Sequence, residues 1–373
     1  MLAVQATIMV ACTASGVAIA ATPLNADSTQ PKPAELVLEY EPRQTILNAS
    51  TKQQLEQIEK LLQRSRKIGN SYHLSQVKVL LGQLDTADFT PEQLAQYRYY
   101  KAQYLQKDHQ FKPALKLLAL ISAESQYAIG ARLLASRLHL LGGDVKSAIQ
   151  QCSQLLSSAG PEIMHLCLLE TKLDKPETEQ KFVEVSNRLN STSQNQQTDQ
   201  QAKDSQLALR QWLNRLGASI ALSNGNTSKA IERLERNLYA DELYDILLWA
   251  DLQLEQTTAQ INLKPVYDRL STYTTDDTSL LEDAILLRLA RLENILNMPD
   301  QYQKLIHERI ALRLVRQDRQ HSADLAYYYL HLKRDPEQAL AWAKRNWQSS
   351  KDLVDLRLKT QAEKFSERQK KNG

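Results

Sequence analysis

The distribution of apolar residues predicts helices along almost the whole chain. From about Thr51 onward, apolar positions recur at i, i+3, i+4 and i+7, which is the spacing of one face of an α-helix. Short polar breaks interrupt this pattern, and four of them read KDHQ, LGGD, SNGN and LKRDP. The chain is therefore predicted to alternate between helix, short turn and helix.

Residues that favour helix starts mark several boundaries. In the stretch FTPEQLAQYRYYKAQYL, Thr90 is placed to cap a helix, Pro91 suits the first helical position and Gln93 completes a capping box. Three further cap residues are predicted after polar breaks, each four positions before a recurring alanine: Asp144, Asn226 and Asp335.

Four alanines recur in the same context and define four helical hairpins, namely Ala114, Ala148, Ala230 and Ala339. Each follows a large residue by ten positions, across a polar break, so that a large residue of the first helix meets a small residue of the second. The first two alanines are 34 residues apart, which is a period of two-helix repeats. Because a lone hairpin cannot bury its apolar face, neighbouring hairpins are expected to stack.

Composition and charge favour an all-α fold. The 373 residues include only 10 Gly and 11 Pro, and both residue types interrupt helices and form loops. Apolar residues make up 42% of the chain, which is ample for a large core. The formal net charge of +3 is too small to indicate nucleic-acid binding.

The N-terminal residues 1–26, MLAVQATIMVACTASGVAIAATPLNA, carry no charged side chain. They predict a secretory signal peptide with Ala-x-Ala-like exits at Ala20 or Ala26, although no Lys or Arg precedes the apolar stretch. The alternatives are an uncleaved anchor or a buried N-terminal helix. IMVAC also resembles a bacterial lipoprotein box, with Cys12 as the lipidated residue.

Export follows from that reading of the N-terminus. No other segment approaches the roughly 20 uninterrupted apolar residues of a membrane span. We therefore expect a periplasmic or secreted protein that contacts a membrane only through an uncleaved or lipidated N-terminus.

The remaining chain divides by composition. Residues 27–50 contain three prolines and predict an extended leader. A helical-repeat block is expected over 51–186 and a second over 207–366. Between them, 187–206 is rich in Gln, Asn, Ser and Thr and predicts a polar flexible loop. The polar residues 367–373 are predicted to form a disordered tail.

The hairpins resemble the tetratricopeptide-repeat family. In WLNRLGASIALSNGNTSKAIERLE, the residues that look like its signature positions are Leu213, Leu216, Gly217, Ile220, Ala230 and Leu234. LAYYYLHLKRDPEQALAWAKRNW is similar through Leu325, Ala326, Tyr329, Ala339 and Ala343. The gap between helices is one residue longer than the family pattern, and Lys101 stands where a small residue is expected. HEAT-like or irregular helical repeats are the alternatives.

The resemblance implies a right-handed superhelical α-solenoid of antiparallel helix pairs, whose first helices line a concave groove that binds a protein or peptide. The resemblance places the groove-facing side chains on the first helices, next to the residues that pack against the second helices. The candidates are Arg98, Arg132, Ser136, His139, Asn214 and Tyr327. The two arginines occupy equivalent positions of adjacent repeats, and two aligned guanidiniums suit a carboxylate. The alternative is two surface arginines paired with nearby Glu or water.

Two cysteines remain after signal removal, Cys152 and Cys167. The turn between their helices is predicted near Ala159–Gly160, about equally far from both, so the two side chains can face each other across one hairpin. They form either a disulfide, which an exported protein can keep, or two buried thiols. A bridge would contribute roughly 3 kcal/mol through loop-closure entropy.

No catalytic or metal-binding motif stands out. IHERIA begins like the zinc motif HExxH, but Ala311 replaces the second His, so His307 is predicted to be a helix-surface histidine. The sequence contains no Gly-rich phosphate loop and no G-x-S-x-G elbow. We therefore expect no metal, no cofactor and no enzymatic activity.

Arg309, Arg313 and Arg316 form a basic stripe at i, i+4 and i+7 of a predicted helix. Such a stripe is predicted to be a solvated face, and the alternative is docking of an acidic partner or of lipid headgroups.

The expected function is that of a non-catalytic adaptor or scaffold of the bacterial cell envelope that holds a protein or peptide in its groove. One alternative is an accessory subunit of an envelope enzyme or polymer-processing machine that contacts glycan through Tyr and Trp side chains. Another is an enzyme whose site the sequence does not reveal.

Overall fold

The computed structural model describes residues 50–193, 200–256, 262–274, 278–316 and 321–372. These residues form seventeen α-helices and no strand, so the all-α prediction is confirmed over the described part of the chain. The helices are α1 (Thr51–Arg64), α2 (His73–Gln83), α3 (Pro91–Lys107), α4 (Phe111–Leu118), α5 (Ala128–Gly142), α6 (Val145–Ser153), α7 (Leu156–Glu170), α8 (Glu177–Ser193), α9 (Gln200–Ser223), α10 (Thr227–Glu235), α11 (Leu243–Glu255), α12 (Lys264–Ser271), α13 (Asp283–Leu296), α14 (Gln301–Val315), α15 (Ser322–His331), α16 (Pro336–Ser349) and α17 (Leu353–Asn372).

The predicted caps begin the predicted helices. Thr90 Oγ1 accepts from the Gln93 amide at 3.2 Å, and Gln93 Oε1 accepts from the Thr90 amide at 2.9 Å, which completes the capping box of α3. Asp144, Asn226 and Asp335 likewise accept from first-turn amides of α6, α10 and α16. Each satisfies donors that a helix start leaves without a partner.

The four hairpins turn in the same way. The residue five positions before each recurring alanine adopts a left-handed backbone conformation, with φ between 55° and 82°. These residues are His109, Gly143, Gly225 and Arg334. A single left-handed residue ends a helix within one turn, which lets the second helix start at once.

The recurring alanines lie where the two helices of each hairpin meet. All four are fully buried, and the large residue ten positions earlier is buried or half-buried on the first helix. Because alanine has only a methyl group, the two helix axes can approach closely there. The spacing of the sequence is thereby explained as the path from the first helix, through the turn, to the second.

Hairpins stack in chain order. Most consecutive helices pack against each other, and alternate helices also pack side by side in the series α1, α3, α5, α7 and in the series α11, α13, α15, α17. This is a helical repeat-like arrangement, in which each unit buries the face of its neighbour. The largest continuous apolar core runs mainly through α9 to α15.

Segments distant in sequence also meet. The turn after α1 reaches the start of α11, where the Ile68 amide donates to Asp241 O at 3.1 Å and the Leu243 amide donates to Arg66 O at 2.9 Å. The Gly69 amide donates to Glu282 Oε2 at 2.8 Å, just before α13. These contacts tie the first hairpin to the middle of the chain.

A second long-range contact joins α5 to the turn before α17. Arg137 Nη2 lies 2.5 Å from Asp352 Oδ2, and the Lys351 amide donates to Leu141 O at 2.9 Å. Asp352 raises the pKa of Arg137 above its ordinary value. The two ends of the described chain are therefore each fastened to a distant repeat.

Two boundary predictions are wrong. Helix α8 continues to Ser193 and α9 begins at Gln200, so 187–193 and 200–206 are helical rather than a flexible loop. Helix α17 continues to Asn372, so the predicted disordered tail is helical over 367–372. The remaining predicted loop residues, 194–199, the signal peptide and the extended leader up to residue 49 lie outside the described residues.

Candidate functional site

Three predicted groove residues bind the ends of their own hairpins. Arg98 on α3 donates to Leu120 O at 2.7 Å, and Arg132 on α5 donates to Gln154 O at 2.7 Å, with the same 22-residue separation. Asn214 on α9 occupies the equivalent position and donates to Asn237 Oδ1, beyond the end of α10, at 2.8 Å. Donors at this position thus stabilise the C-terminal end of the second helix.

The next candidates lie inside or beside a hairpin. Ser136 is fully buried, where its hydroxyl lies 3.3 Å from Ala148 O and 3.2 Å from Cys152 Sγ, so its prediction as a groove residue is wrong. His139 places Nδ1 3.6 Å from Asp144 Oδ2 at the turn of the same hairpin. Neither residue lies in the cleft described below.

Tyr327 is the one predicted groove residue that lines a cleft between first helices. The cleft lies between α11, α13, α15 and α17 and has a volume of about 160 Å³. We call it the four-helix cleft. It combines apolar walls with several charged residues, and its charged residues come from all four helices.

Arg288 on α13 forms the base of the four-helix cleft. Its Nε and Nη2 donate to the two carboxylate oxygens of Asp251 on α11, at 3.0 and 2.6 Å, and its guanidinium lies 4.0 Å from the ring centre of Tyr327. Burial opposes the charge, but Asp251, together with Tyr327 and Asp324, raises the pKa of Arg288 above its ordinary value. This bidentate, stacked arginine is held in one orientation.

Arg291, one turn further along α13, has a different environment. Its Nη1 donates to the Tyr327 hydroxyl at 3.1 Å and lies 3.4 Å from His331 Nε2 on α15. Because arginine offers only donors, that ring nitrogen must be the unprotonated acceptor. Within the described part of the chain, Arg291 has no carboxylate within 4.0 Å.

The imidazole beside Arg291 is held neutral. Burial, together with Arg291, Arg288 and Arg334, lowers the pKa of His331 to about 2. Burial, with Asp251 as a further cause, raises the pKa of Tyr327 to about 12. The two groups that contact Arg291 are therefore uncharged at neutral pH, and neither neutralises its charge.

The rim of the four-helix cleft is formed by α11 and α17. Arg357 forms an ion pair with Glu255, and Gln361 Nε2 donates to Glu255 Oε1 at 2.6 Å. These contacts attach α17, the last helix of the series α11, α13, α15 and α17, to the end of α11, the first. All three residues also line the cleft.

Asn214 lines a different hollow, between α8, α9 and α10, that has a volume of about 900 Å³. Arg210 and Tyr239 border the same hollow. The predicted groove residues are therefore distributed over separate places, and only Tyr327 lies in the four-helix cleft.

The cysteines are joined. Cys152 on α6 and Cys167 on α7 form a disulfide with an S–S distance of 2.02 Å and a Cα–Cα distance of 5.4 Å. Between them α7 is broken at Gly160, whose φ of 83° and ψ of 171° are non-helical. The hairpin turn thus lies at the predicted place, and the bridge links its two arms.

The residues singled out for metal or surface chemistry have other surroundings. His307 is exposed on α14, and its Nδ1 lies 2.5 Å from the Tyr328 hydroxyl. Within the described ranges no three His, Cys, Asp or Glu side chains are grouped so that they could hold a metal ion. No described helix is long and apolar enough to span a bilayer.

The basic stripe of α14 is not simply a solvated face. Arg309 donates to Leu281 O at 2.8 Å and to Asp283 Oδ1 at 3.0 Å, and Arg313 donates to Asp283 Oδ2 at 3.0 Å. These two arginines fasten the start of α13, while Arg316 is exposed.

Sequence reasoning missed Arg291 and His331. They lie 40 residues apart, and neither occupies a position of the repeat pattern. The available signal was the pair Arg288 and Arg291 in the otherwise mainly apolar stretch LRLARLENIL, because an arginine on an apolar helix usually needs a hydrogen-bond partner inside the structure. Comparison with protein-family models, with curated proteins and with solved structures finds no match for the chain.

Proposed function

We propose that the chain is a non-catalytic adaptor or scaffold of the bacterial cell envelope that binds a protein or peptide in the concave face of a right-handed, tetratricopeptide-like α-solenoid. The four-helix cleft is the binding site on that face. The stacking of alternate helices supports the solenoid, because a row of first helices leaves one side of the array for a ligand. Export is part of the proposal and rests on residues 1–26.

The observation that carries the binding site is Arg291. It is half-buried at a cleft, it has only neutral neighbours among its hydrogen-bond partners, and the other cleft arginines are each paired with a carboxylate. An arginine with free donors at a concave surface is a common anchor of protein–protein contacts. The cleft therefore offers a partner both a concave apolar surface and an arginine whose charge no neighbouring carboxylate neutralises.

Filling the cleft tests the binding site. The full chain and its Ala323→Trp variant are used to recover partners from envelope extracts, since Ala323 lines the cleft and an indole there would occupy it. Ala123→Trp is the matched control, because Ala123 is exposed between α4 and α5 and does not line the cleft. We expect wild type and control to recover the same partner and Ala323→Trp to lose it.

Equal recovery by Ala323→Trp and wild type would contradict the four-helix cleft as the binding site. Thermal unfolding of the three proteins verifies that the fold is retained. The double change Arg98→Glu and Arg132→Glu should leave recovery unchanged, because both arginines bind their own hairpins.

Export is tested separately by cell fractionation and N-terminal sequencing. The expected product begins after Ala20 or Ala26 and is found in the envelope or periplasmic fraction. A chain that retains Met1 in the cytoplasmic fraction would contradict export.

A further inference from the structure

The hollow between α8, α9 and α10, which we call the α8–α10 hollow, is separate from the four-helix cleft. Its volume of about 900 Å³ lies within the roughly 300–1,000 Å³ of small-molecule sites. None of its described lining residues also lines the four-helix cleft. It is therefore a second candidate site, and a ligand bound there leaves the four-helix cleft open.

A glycine on α9 makes room for the base of the α8–α10 hollow. A Cβ added at Gly217 would lie 2.8 Å from two ring carbons of Phe182 and 3.0 Å from Arg233 Cδ, so a larger residue would displace them. The Arg233 guanidinium lies 5.0 Å from the ring centre of Phe182, and its Nη2 donates to Glu179 Oε1 at 2.6 Å. The base is thus a phenyl ring and an arginine that are both held in place.

The walls of the α8–α10 hollow are mainly apolar. Five apolar side chains of α8 and α9 line it, and they are Phe182, Val183, Leu207, Leu209 and Leu213. Val183 and Leu207 are each 41% exposed, and Tyr239, which also lines the hollow, is 59% exposed. Exposed apolar side chains that are grouped in a concave region, rather than scattered singly, are typical of a binding site.

The charged residues that line the hollow are all arginines. They are Arg210, Arg233 and Arg236, and no Asp or Glu is among the described lining residues. Arg233 shares the carboxylate of Glu179 with Lys229, whose Nζ lies 2.6 Å from Oε1, and Arg236 pairs with Glu232. The three arginines and Lys229 therefore have two carboxylates between them, which leaves an excess of positive charge beside the apolar walls.

Two polar groups of the lining have no partner within the described residues. The exposed Arg210 on α9 makes no hydrogen bond or ion pair there. The hydroxyl oxygen of Ser186 on α8 is buried and also lacks a hydrogen bond. A buried hydroxyl without a partner costs free energy unless a water or a ligand satisfies it. An anionic ligand would supply the acceptor that both groups lack.

An acyl chain suits the apolar walls better than a peptide does. Each peptide residue brings a backbone N–H and a C=O, and burying either group without a hydrogen bond costs free energy. An acyl chain brings no polar group, so burial against the aliphatic side chains is favourable along its whole length. A carboxylate at its end has two oxygens that match the planar donors of a guanidinium.

We propose that the α8–α10 hollow binds a carboxylate of the fatty-acid type, with its acyl chain against Val183, Leu207 and Leu213 and its carboxylate on Arg210. Burial of the chain holds the ligand, and the excess of positive charge selects an acid over an uncharged amphiphile. The site goes beyond the proposed function, which concerns the four-helix cleft, and either proposal can fail without the other.

Calorimetric titration of the full chain with decanoate, below the concentration at which decanoate forms micelles, tests the proposal. Decanol is the uncharged control of the same chain length, and acetate is the control for the carboxylate alone. We expect decanoate to bind and decanol to bind about tenfold more weakly, because the charge-assisted hydrogen bonds are lost. Acetate should show no binding at the same concentrations, because it has no acyl chain to bury.

Arg210→Gln is the decisive variant, and Arg316→Gln is its matched control, since Arg316 is also exposed but does not line the hollow. Arg210→Gln should bind decanoate about as weakly as decanol and should keep the wild-type affinity for decanol. Arg316→Gln should keep the wild-type preference for decanoate. Leu207→Asn removes an aliphatic contact and should weaken both ligands by a similar factor. Thermal unfolding verifies that the three variants fold.

The proposal is overturned if wild type binds decanol as tightly as decanoate, or if Arg210→Gln binds decanoate as wild type does. Two further probes distinguish other occupants when monomeric decanoate does not bind. Arg210-dependent binding to phosphatidylglycerol vesicles would assign the hollow to a membrane surface, and Arg210-dependent binding of a peptide of alternating Glu and Leu would assign it to a protein. Either result would overturn the fatty-acid site. The outcome for Ala323→Trp is judged separately, because Ala323 lines only the four-helix cleft.

Discussion

Hairpins at the two ends of the repeat-like structure use arginine in opposite ways. In the hairpins α3–α4 and α5–α6, Arg98 and Arg132 bind carbonyl groups at the end of the second helix. In the hairpin α15–α16 the equivalent position, sixteen residues before the recurring alanine, is Ala323, whose methyl group lines the four-helix cleft. Because this position carries alanine rather than arginine, space is left beside α15, and arginines of α13 and α17 line that space.

Residues at equivalent positions of different hairpins therefore share the same location on the first helix, but they do not share the same function. The same position fastens a hairpin in one repeat and borders a cleft in another, because the length of the side chain decides which surface it covers. Equivalent residues therefore indicate shared packing, and a binding role has to be argued from the contacts of each residue.

The largest expected effect comes from the base of the cleft. Arg288→Met leaves the carboxylate of Asp251 buried without its partner, and breaking a buried pair in this way costs about 3–5 kcal/mol of the free energy of unfolding. Arg132→Met removes hydrogen bonds to Gln154 O and Ser158 Oγ at a half-buried site and should cost about 1 kcal/mol. Urea denaturation of both variants measures the difference.

The double variant Arg288→Met with Asp251→Leu is the control for that prediction. It removes both charges together, so most of the lost stability should return. If Arg288→Met costs no more than Arg132→Met, the arginines of the two regions have the same energetic role and the comparison fails.

The disulfide gives the N-terminal hairpins a constraint that the cleft lacks. Reduction should lower the free energy of unfolding by about 3 kcal/mol, because the bridge closes a loop with a sequence separation of 15. Denaturation with and without reductant measures this loss, and the double variant Cys152→Ala with Cys167→Ala should not respond to reductant. Two thiols titrated in denatured, unreduced protein that lacks residues 1–26, and therefore Cys12, would show that the bridge is absent.

The cleft also has a dependence on pH that the N-terminal arginines do not share. His331 stays neutral in the folded chain because its pKa is lowered to about 2, but after unfolding it binds a proton below its ordinary pKa of about 6.5. The unfolded state therefore binds more protons in acid, and stability falls as pH decreases through about 6.5. Between pH 7 and pH 5 this one group contributes a loss of about 2 kcal/mol.

His331→Gln isolates this contribution, since the amide oxygen can still accept from Arg291 and does not titrate. Unfolding free energies at pH 7 and pH 5 should differ by about 2 kcal/mol less in the variant than in wild type. If the free energy of unfolding of the two proteins depends equally on pH, His331 is not the group that binds an additional proton in the unfolded state.

Much of the fold could be predicted because it depends on local signals. The capping box at Thr90, the caps at Asp144 and Asn226, and the small residue at Ala148 each act within a few residues of the chain, and the structure contains all of them. The turn at Gly160 was predicted from the same kind of signal.

The two wrong boundary predictions, the disordered tail and the flexible loop, also have a local explanation. The tail FSERQKK is polar, and its Glu, Arg, Gln and Lys residues have high helix propensity, so polarity alone is a poor sign of disorder. The same holds for the start of α9, which reads QQAKDSQ, because its Gln, Ala and Lys residues have high helix propensity.

The candidate site could not be predicted from the sequence. Arg291 and His331 meet only because α13 and α15 lie side by side, and the cleft exists only because α17 returns to the end of α11 through Glu255. The angle between successive hairpins decides these contacts, and small changes in packing at each step add up along the stack. The angle between successive hairpins cannot be predicted from the periodicity of apolar residues.

The smallest predicted effect tests the turn that all four hairpins share. Gly225 has a φ of +75°, and a Cβ added there would meet no atom within 4 Å, so Gly225→Ala should cost about 1 kcal/mol through backbone strain alone. His109 holds the same position with a φ of 55°. Changing His109→Gly relieves a similar strain but gives the unfolded chain more freedom, so the two contributions should nearly cancel.

Urea denaturation of Gly225→Ala and His109→Gly thus compares one turn in two repeats. A loss of about 1 kcal/mol in the first and almost none in the second is expected if the left-handed conformation is a requirement of the hairpin itself. If His109→Gly destabilises the chain as much as Gly225→Ala, the imidazole makes a contact that matters more than the turn. The two hairpins would then differ in their turns as well as in their arginines, and the alanine spacing alone would be what they share.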